Sequence, residues 1–428
     1  MRVLLCTFAL AAGLSAACAK SETVASRPWS TAVDSLGDTV FLRVTGEVPA
    51  AMFASMEPEL KVGSVDGAEE YTFGNILDVL PTADGGLLVH DDQAQLIRFY
   101  DSTGAYVKTL GAKGQGPGEY EQVNGITMLP NGEILVWDGT GGRINRYRAD
   151  GTFINQFRLG VTTWFTSNAL HSDDAGNIYH WAPIGEDPER PLQHRSGLLR
   201  VDTLGAVLDT IEYQEYGPAP ASLEAVSPDG RTRSRTIVPF QPYSLTSLLR
   251  SGGLATGYGS QYRFVIQHPG AKPRVVTRET APVPVSETER SERRAQIEQN
   301  FKRMVPTWTW TGPDIPTTKP AFNAIRVARD GSLWVSVPSV GEPIPEAELT
   351  PVTPPPNGGP APVRFTTRER AMFDVYAPDG TLRGRIALPP RTRLMQIGST
   401  HAWGTLRDAD DVDYAVRFRI TGLAGDTP

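Results

Sequence analysis

The sequence predicts an all-β fold, a closed ring of six four-stranded antiparallel sheets, and two observations support this prediction. The chain of 428 residues contains 42 glycines and 35 prolines, a turn content that argues against a helical bundle and for many short strands. Residues 76–111 and 125–160 also share one pattern, in which apolar and polar residues alternate between glycine turns. Each segment therefore predicts four short strands.

The same two turns recur along the chain, and they predict a repeat of about 45 residues. Corresponding turns carry glycine in five units, at Gly85, Gly132, Gly176, Gly252 and Gly331. A sixth unit begins at Leu394–Ile397 and ends with a third strand, Tyr414–Ile420. Four-stranded repeats of this length are typical of β-propeller blades. A two-sheet sandwich, the alternative, does not explain why both turns recur.

The missing fourth strand of the last unit is predicted at the other end of the chain. Residues 58–63 resemble the end of a fourth strand, although no three strands precede them. We expect them to pair with Tyr414–Ile420, because this pairing closes the ring and removes an exposed sheet edge.

Two motifs resemble known propeller families. Residues 131–138, NGEILVWD, are followed by Arg143-Ile144 and resemble an NHL-type repeat. Residues 111–120, GAKGQGPGEY, resemble the inter-blade loop of the bacterial six-bladed β-propeller proteins. The resemblance implies the fold and also export, since those proteins are typically exported and often lipoproteins. It implies no reaction.

The N-terminus has the pattern of a secretion signal. Arg2 precedes the apolar stretch Val3–Ala17, which is too short to span a bilayer. This predicts a signal peptide over residues 1–17, removed either by ordinary cleavage or by cleavage before Cys18 with lipidation of that cysteine. Cys18 would then be the only cysteine of the mature chain, so no disulfide is expected within the fold. The expected location is the periplasm or the outer membrane.

The remaining sequence divides into a tether, one domain and a tail. Residues 18–37 are predicted to be a polar tether, 38–424 a single propeller domain, and 425–428 a tail. Two long insertions interrupt the domain, at 277–319 and 341–368. The first contains a helix predicted over residues 286–304, which Ser286 and Glu289 can cap as a capping box. This helix is either an insert that packs on the propeller or a lid.

Charge and composition limit the partners. The net charge of −7 and the absence of a long basic run argue against nucleic-acid binding. We expect a monomer whose partner is a small molecule, a glycan, a peptide or an envelope protein. Membrane contact is expected only through the N-terminal lipid.

Candidate site residues are few. Asp91 and Asp138 occupy the same blade position, where they either hold a divalent metal such as calcium or accept backbone hydrogen bonds at their loops. The corresponding residues of two other blades are Ala182 and Val337, so a carboxylate ring is incomplete and no cofactor is expected. The six histidines have no metal-binding spacing.

The order of strands predicts which face of the ring carries the function. Short turns fall at one end of the ring, whereas all long insertions fall at the other. Because repeat proteins tend to place insertions on their binding face, we expect a pocket there, roofed by the 286–304 helix. Trp308 and Trp310 are expected near its rim, unless they fill space beneath the helix. The central funnel is expected to collect four residues at its mouth: Asp91, Trp137, Asp138 and Arg143.

The sequence therefore predicts an exported binding platform for a ligand or a protein. The alternative is a propeller enzyme of the lyase or lactonase type, assisted by a metal ion.

Overall fold

Short strands pair with their neighbours in sequence, and the result is a six-bladed β-propeller. A computed structural model describes residues 30–159, 170–186, 194–349, 352, 354 and 361–423. The predicted signal peptide, Cys18 and the C-terminal tail lie outside these residues. Within the described ranges, no helix is long and apolar enough to cross a membrane.

The first three blades follow one another along the chain, and each contains four antiparallel strands. Blade one consists of Ile76–Pro81, Leu87–Asp91, Leu96–Tyr100 and Tyr106–Thr109. Blade two consists of Val123–Met128, Ile134–Asp138, Arg143–Tyr147 and Phe153–Arg158. Blade three consists of Leu170–Ser172, Ile178–Glu186, His194–Val201 and Val207–Glu212. Gly85 and Gly132 have φ angles of 84° and 85°, a left-handed conformation that explains why the recurring turn needs glycine.

The other three blades use the same order, except that the last takes its outer strand from the N-terminus. Blade four consists of Ser244–Leu248, Leu254–Tyr258, Arg263–Gln267 and Arg274–Arg278. Blade five consists of Ala324–Val327, Leu333–Val337, Met372–Tyr376 and Leu382–Ala387. Blade six consists of Thr392–Ile397, His401–Arg407, Asp413–Thr421 and Phe53–Val62.

The predicted closure of the ring is confirmed. Strand Phe53–Val62 pairs antiparallel with Asp413–Thr421, in a register that places Val62 opposite Ala415. Side chains reinforce the ladder, since Glu59 accepts from Arg417 at 3.1 Å and also from Arg419. The hydrogen bond from Arg419 holds the pKa of the Glu59 carboxyl below its usual value.

The N-terminal segment is longer than the sequence predicted. Strands Ser30–Leu36 and Thr39–Thr45 form a hairpin, whose second strand pairs in parallel with Arg274–Arg278 of blade four. Phe53 and Ala54 then pair in parallel with the outer strand of blade five. We call residues 30–62 the edge strap, because they follow the outer edges of blades four, five and six.

The edge strap corrects the predicted tether. Residues 30–37 belong to the folded domain, although the sequence assigned 18–37 to a polar tether and began the domain at residue 38. The first hairpin strand, Ser30–Leu36, is mostly exposed, so it lacks the apolar alternation that marks a strand. Its partner strand buries Leu42 and Val44 against blade four.

Apolar side chains between neighbouring blades form the core. Trp334, Val416 and Phe418 are fully buried between blades five and six. Trp137 and Ile178 are fully buried between blades two and three. Blades therefore pack face to face, and the innermost strands are left to line a central channel.

Insertions on blades three, four and five form a cap over one end of the ring, which we define as the described residues of segments 213–243, 279–323 and 338–371. The cap contains a hairpin of strands Ser222–Val226 and Arg233–Ile237, the helix Glu287–Met304, and a short pair of strands, Glu342–Pro343 and Thr367–Arg368. The predicted helix and its capping box are confirmed, with Ser286 as the N-cap. Three 3₁₀ turns, Ala50–Met52, Glu69–Tyr71 and Glu346–Glu348, and the short parallel pair Ala112–Lys113 and Glu119–Tyr120 complete the elements.

Candidate functional site

The two ends of the ring differ, as the order of strands predicts. Turns between first and second strands, and between third and fourth strands, lie at one end, which we call the turn face. Links between blades and the second-to-third loops lie at the other end, which we call the loop face. All three segments of the cap belong to the loop face, so the structure places the long described insertions on one side.

A buried lysine joins the second and third segments of the cap. Lys319 Nζ donates to Glu289 Oε1 at 2.6 Å and to the carbonyl oxygen of Ser339 at 2.8 Å, and it pairs with Glu369 Oε1 at 3.1 Å. Burial alone would raise the pKa of Glu289, but hydrogen bonds from Lys319 and Ser286 outweigh it and lower the pKa. The ionised carboxylate of Glu289 thus binds the helix to Lys319, and Lys319 binds both to the third segment of the cap.

The helix packs against other parts of the cap and is not a separate lid. Ile297 and Phe301 lie in one apolar cluster with Leu223 and Val238 of the hairpin segment. On the other side, Glu292 accepts the backbone N–H of Thr366 at 2.9 Å. These contacts favour the interpretation of an insert packed on its surroundings.

The positions of the two tryptophans differ from the predicted positions at the rim of a pocket. Trp308 is buried against Phe301, with ring centroids 4.8 Å apart, and its indole N–H donates to the carbonyl oxygen of Glu224 at 2.8 Å. Trp310 is half-buried, and the guanidinium of Arg294 lies 5.0 Å from its ring centroid. Trp308 therefore fills the space beneath the helix, which is the second of the two interpretations that the sequence allowed.

Asp138 and Arg143 form a buried hydrogen-bonded network between blade two and its loop, and Trp137 is buried between blades two and three, so none of the three lies at the mouth of a funnel. Asp138 accepts the backbone N–H groups of Glu121 and Gln122 at 3.1 and 3.2 Å, and Arg143 Nε at 3.1 Å. Arg143 also donates to three loop carbonyl oxygens, and Trp137 is 1% exposed. The structure does not favour the predicted ligand role, because the polar groups of Asp138 and Arg143 hold the chain and Trp137 is buried in the core.

Asp91 has the same role in blade one. It is 1% exposed and accepts backbone N–H groups of Gly74 and Asn75 at 3.0 and 3.1 Å. It also accepts from Gln93 and Ala94 at 3.1 and 3.3 Å. The structure therefore favours backbone hydrogen bonding over the predicted calcium site.

The histidines are dispersed over the ring. His90 and His180 are fully buried. His401 contacts Glu59 at 3.0 Å on blade six. His268 contacts Ser251 at 2.7 Å on blade four. Only His171 lines the central channel among the histidines whose side chains are described. In the described part of the chain, no group of three histidine, cysteine, aspartate or glutamate residues is placed to hold a metal ion.

A cavity of about 770 Å³ opens on the loop face between blades four and five, and we call it the cap cavity. The segments that flank the helix, Thr280–Val283 and Thr318–Ala321, form part of its wall, whereas the helix itself does not line it. This corrects the predicted helical roof. The edge strap contributes Arg43 and Glu47.

The floor of the cap cavity is a buried polar network around Asp374. Asp374 accepts the Tyr262 hydroxyl at 2.9 Å and Arg385 Nε at 2.7 Å, and it also pairs with Arg278. Burial first, and then the charge of Asp374, raise the pKa of Tyr262, so the phenol stays protonated. Two guanidinium groups share one carboxylate, and the floor therefore carries excess positive charge.

Sequence reasoning missed this network. Asp374 is on the third strand of blade five, Arg278 ends the outer strand of blade four, and Tyr262 precedes the third strand of that blade. The three are far apart in the chain, so no local pattern connects them. The strand FDVY, residues 373–376, could have indicated the network, because the charged residue Asp374 occupies a position where alternation predicts a buried side chain.

A second concave site is the central channel, with a volume of about 350 Å³. Innermost strands of all six blades line it, together with Arg250 and Arg329 of the first turns of blades four and five. The channel therefore reaches the turn face, on the side opposite to the cap.

Comparisons with known proteins agree with this architecture. Residues 66–218 match a family model described as a 6-bladed beta-propeller. No curated protein matches the chain. The family match and the six observed blades together confirm the six-bladed β-propeller fold and the resemblance to that family.

Solved structures with similar architecture are distant. An exported protein, so described, of Bacteroides fragilis has a TM-score of 0.46 at 13% identity, with 90% of this chain and 99% of that chain covered. A duf4221 family member of Bacteroides vulgatus has a TM-score of 0.45 at 12% identity, with 86% and 98% covered. Virginiamycin B lyase of Staphylococcus aureus has a TM-score of 0.38 at 9% identity, with 86% and 99% covered.

Proposed function

We propose that the protein is an exported binding protein that holds a small polar ligand in the cap cavity. The observation that carries this proposal is the cavity itself, which lies between two rigid blades and under segments that Lys319 fixes in place. Its volume falls in the range of roughly 300–1,000 Å³ that is common for small-molecule sites. Three insertions on the loop face enclose the cavity. Functional loops are commonly presented in this way by a rigid scaffold.

The lining suits a ligand of the size and character of a short peptide. Charged side chains of both signs stand at the wall, among them Arg43, Glu47 and Arg263. Apolar surface comes from Pro282, Val283 and other small residues. A peptide presents charges of both signs and apolar side chains at once, so it can use all of these contacts.

A binding screen tests this proposal. We expect one or more short peptides to stabilise the mature protein, and a ligand at 100 times its dissociation constant adds about 2.7 kcal/mol to the free energy of unfolding. Ala321→Trp fills the cavity and Arg263→Ala removes a charged wall group, so both should weaken binding. The measurement is a thermal-shift assay over peptides and oligosaccharides, followed by calorimetric titration.

The matched control for this screen is Arg231→Ala. Arg231 is exposed on the cap hairpin and does not line the cavity. Unchanged ligand affinity in both Ala321→Trp and Arg263→Ala would contradict the site. A product detected by mass spectrometry after incubation with the ligand would show that the protein is an enzyme, and would favour the lyase or lactonase class.

We also propose that Cys18 carries a lipid that anchors the protein to the cell envelope. Apolar and small residues precede this cysteine, and polar residues separate it from the edge strap. The wild-type protein should partition into detergent and incorporate labelled fatty acid, whereas Cys18→Ser should be released in soluble form. One acyl chain gives only marginal anchoring, so more than one chain is expected. Absence of label from the wild-type protein would decide for simple secretion.

A further inference from the structure

The central channel carries a charge opposite to that of the whole protein. The chain has a net charge of −7. Three arginines line the channel, Arg250, Arg326 and Arg329, and Arg393 lies on the innermost strand of the next blade. Among the described residues that line the channel, Asp78 has the only carboxylate, so guanidinium groups outnumber carboxylates by two.

Arg326 has no carboxylate partner in the described residues. Its Nη1 donates to the carbonyl oxygen of Leu394 on the innermost strand of blade six at 2.7 Å. Arg393, on that strand, donates in turn to the carbonyl oxygen of Ile76 in blade one. Each arginine thus satisfies a backbone carbonyl of the next blade, but these bonds leave the positive charges uncompensated.

The arginines are close enough to disfavour each other's charge. Burial, and next the charge of Arg393, lower the pKa of Arg326. Burial, and next the charge of Arg250, lower the pKa of Arg329. Arg326 and Arg329 keep much of their surface open to the channel, so an anion that enters can reach both and reduce this repulsion.

Of these four arginines, only Arg250 pairs with a carboxylate among the described residues. Asp174 is held by Arg250, with Nη2 and Oδ1 2.6 Å apart. Asp78 faces His90, whose Nδ1 is 3.6 Å from its carboxylate. Burial lowers the pKa of His171, so the imidazole is neutral and adds a hydrogen-bonding group without charge. Asp173, on the same turn as Asp174, is occupied by the N–H groups of its own turn and by the Tyr179 hydroxyl at 3.0 Å.

We propose that the central channel binds a small multivalent oxyanion, a phosphate or a polycarboxylate, at Arg326 and Arg329, which both line it. Guanidinium groups bind such oxygens through paired, charge-assisted hydrogen bonds. The volume of about 350 Å³ admits an anion with a small substituent. This site is separate from the cap cavity, and the anion enters from the turn face.

The test uses inorganic phosphate, pyrophosphate and citrate as probes, titrated into the mature protein and compared with sodium chloride at equal ionic strength. We expect saturable binding of at least one probe by calorimetry. Preference for phosphate or pyrophosphate identifies a phosphate site, and preference for citrate identifies a carboxylate site. The double variant R326Q/R329Q should lose affinity by roughly 10- to 100-fold, as expected for lost hydrogen bonds to charged groups.

Two further measurements separate binding from structure. The control R148Q/R231Q changes net charge equally at exposed positions and should bind as the wild type does. Without anion, R326Q/R329Q should melt at the same temperature as the wild type or higher, because repulsion is relieved. Ala321→Trp, which fills the cap cavity, should leave anion binding unchanged.

Three results would overturn the proposal. One is the lack of saturable binding for all three probes, and another is equal affinity in R326Q/R329Q and the wild type. The third is a lower melting temperature of R326Q/R329Q without anion, which would assign the arginines a structural role.

Discussion

A mature chain that begins at Gly67 should not form a stable propeller. It lacks the edge strap, which buries Leu42, Val44, Ala54, Met56 and Val62. Burial of these side chains contributes on the order of 10 kcal/mol, which is comparable to the whole stability of a typical domain. We expect the cooperative thermal transition to disappear, as circular dichroism and calorimetry would show.

A chain that begins at Glu47 is the matched control, because it loses the hairpin but keeps the closing strand Phe53–Val62. It should retain a cooperative transition at a lower temperature. A peptide of residues 47–66 should restore part of the transition to the shorter chain, whereas a scrambled peptide should not. Equal melting temperatures for chains that begin at 47 and 67 would show that closure contributes nothing.

Asp374→Asn should destabilise the protein by about 3–5 kcal/mol, the usual cost of breaking a buried ion pair. The substitution keeps the shape of the side chain but leaves Arg278 and Arg385 without the carboxylate that they share. Both guanidinium groups lie beside the cap cavity, so part of the loss is relieved where water enters. Equilibrium unfolding in urea measures the change.

Asp209→Asn provides the control for this network. Asp209 is exposed, and its carboxylate lies 4.0 Å from Arg200, so its loss should change the free energy of unfolding by less than about 0.5 kcal/mol. If Asp374→Asn costs no more than Asp209→Asn, the network does not join blades four and five. In that case the floor of the cap cavity would be a set of separate surface charges.

Local patterns predict much of this fold. Gly85 and Gly132 mark turns whose left-handed backbone requires glycine, so the repeat is visible in the sequence. Ser286 and Glu289 form the capping box that their spacing implies, and the helix begins where the sequence places it. Residues 58–63 pair at the closing position because they carry the pattern of a fourth strand.

Features that depend on distant residues were not predictable in the same way. The hairpin of the edge strap pairs in parallel with a strand more than two hundred positions away, and no turn joins the two to reveal it. Their shared position in the repeat singled out Asp91 and Asp138, but a repeat position does not say whether a carboxylate meets solvent or backbone N–H groups. The cap cavity and the channel arginines become visible only after the ring closes, because residues from different blades then come together.

The edge strap sets an order for the assembly of the molecule. Ser55 and Thr421, whose hydroxyl groups are 2.7 Å apart, are separated by 366 positions in the chain. During synthesis from the N-terminus, strand Phe53–Val62 emerges early, whereas its partner Asp413–Thr421 is synthesised only after the other five blades. Contacts between such distant segments form slowly, and a waiting strand exposes apolar side chains that favour aggregation. The closing strand therefore becomes ordered only after blade six has been synthesised, and during this interval its apolar side chains are accessible to chaperones.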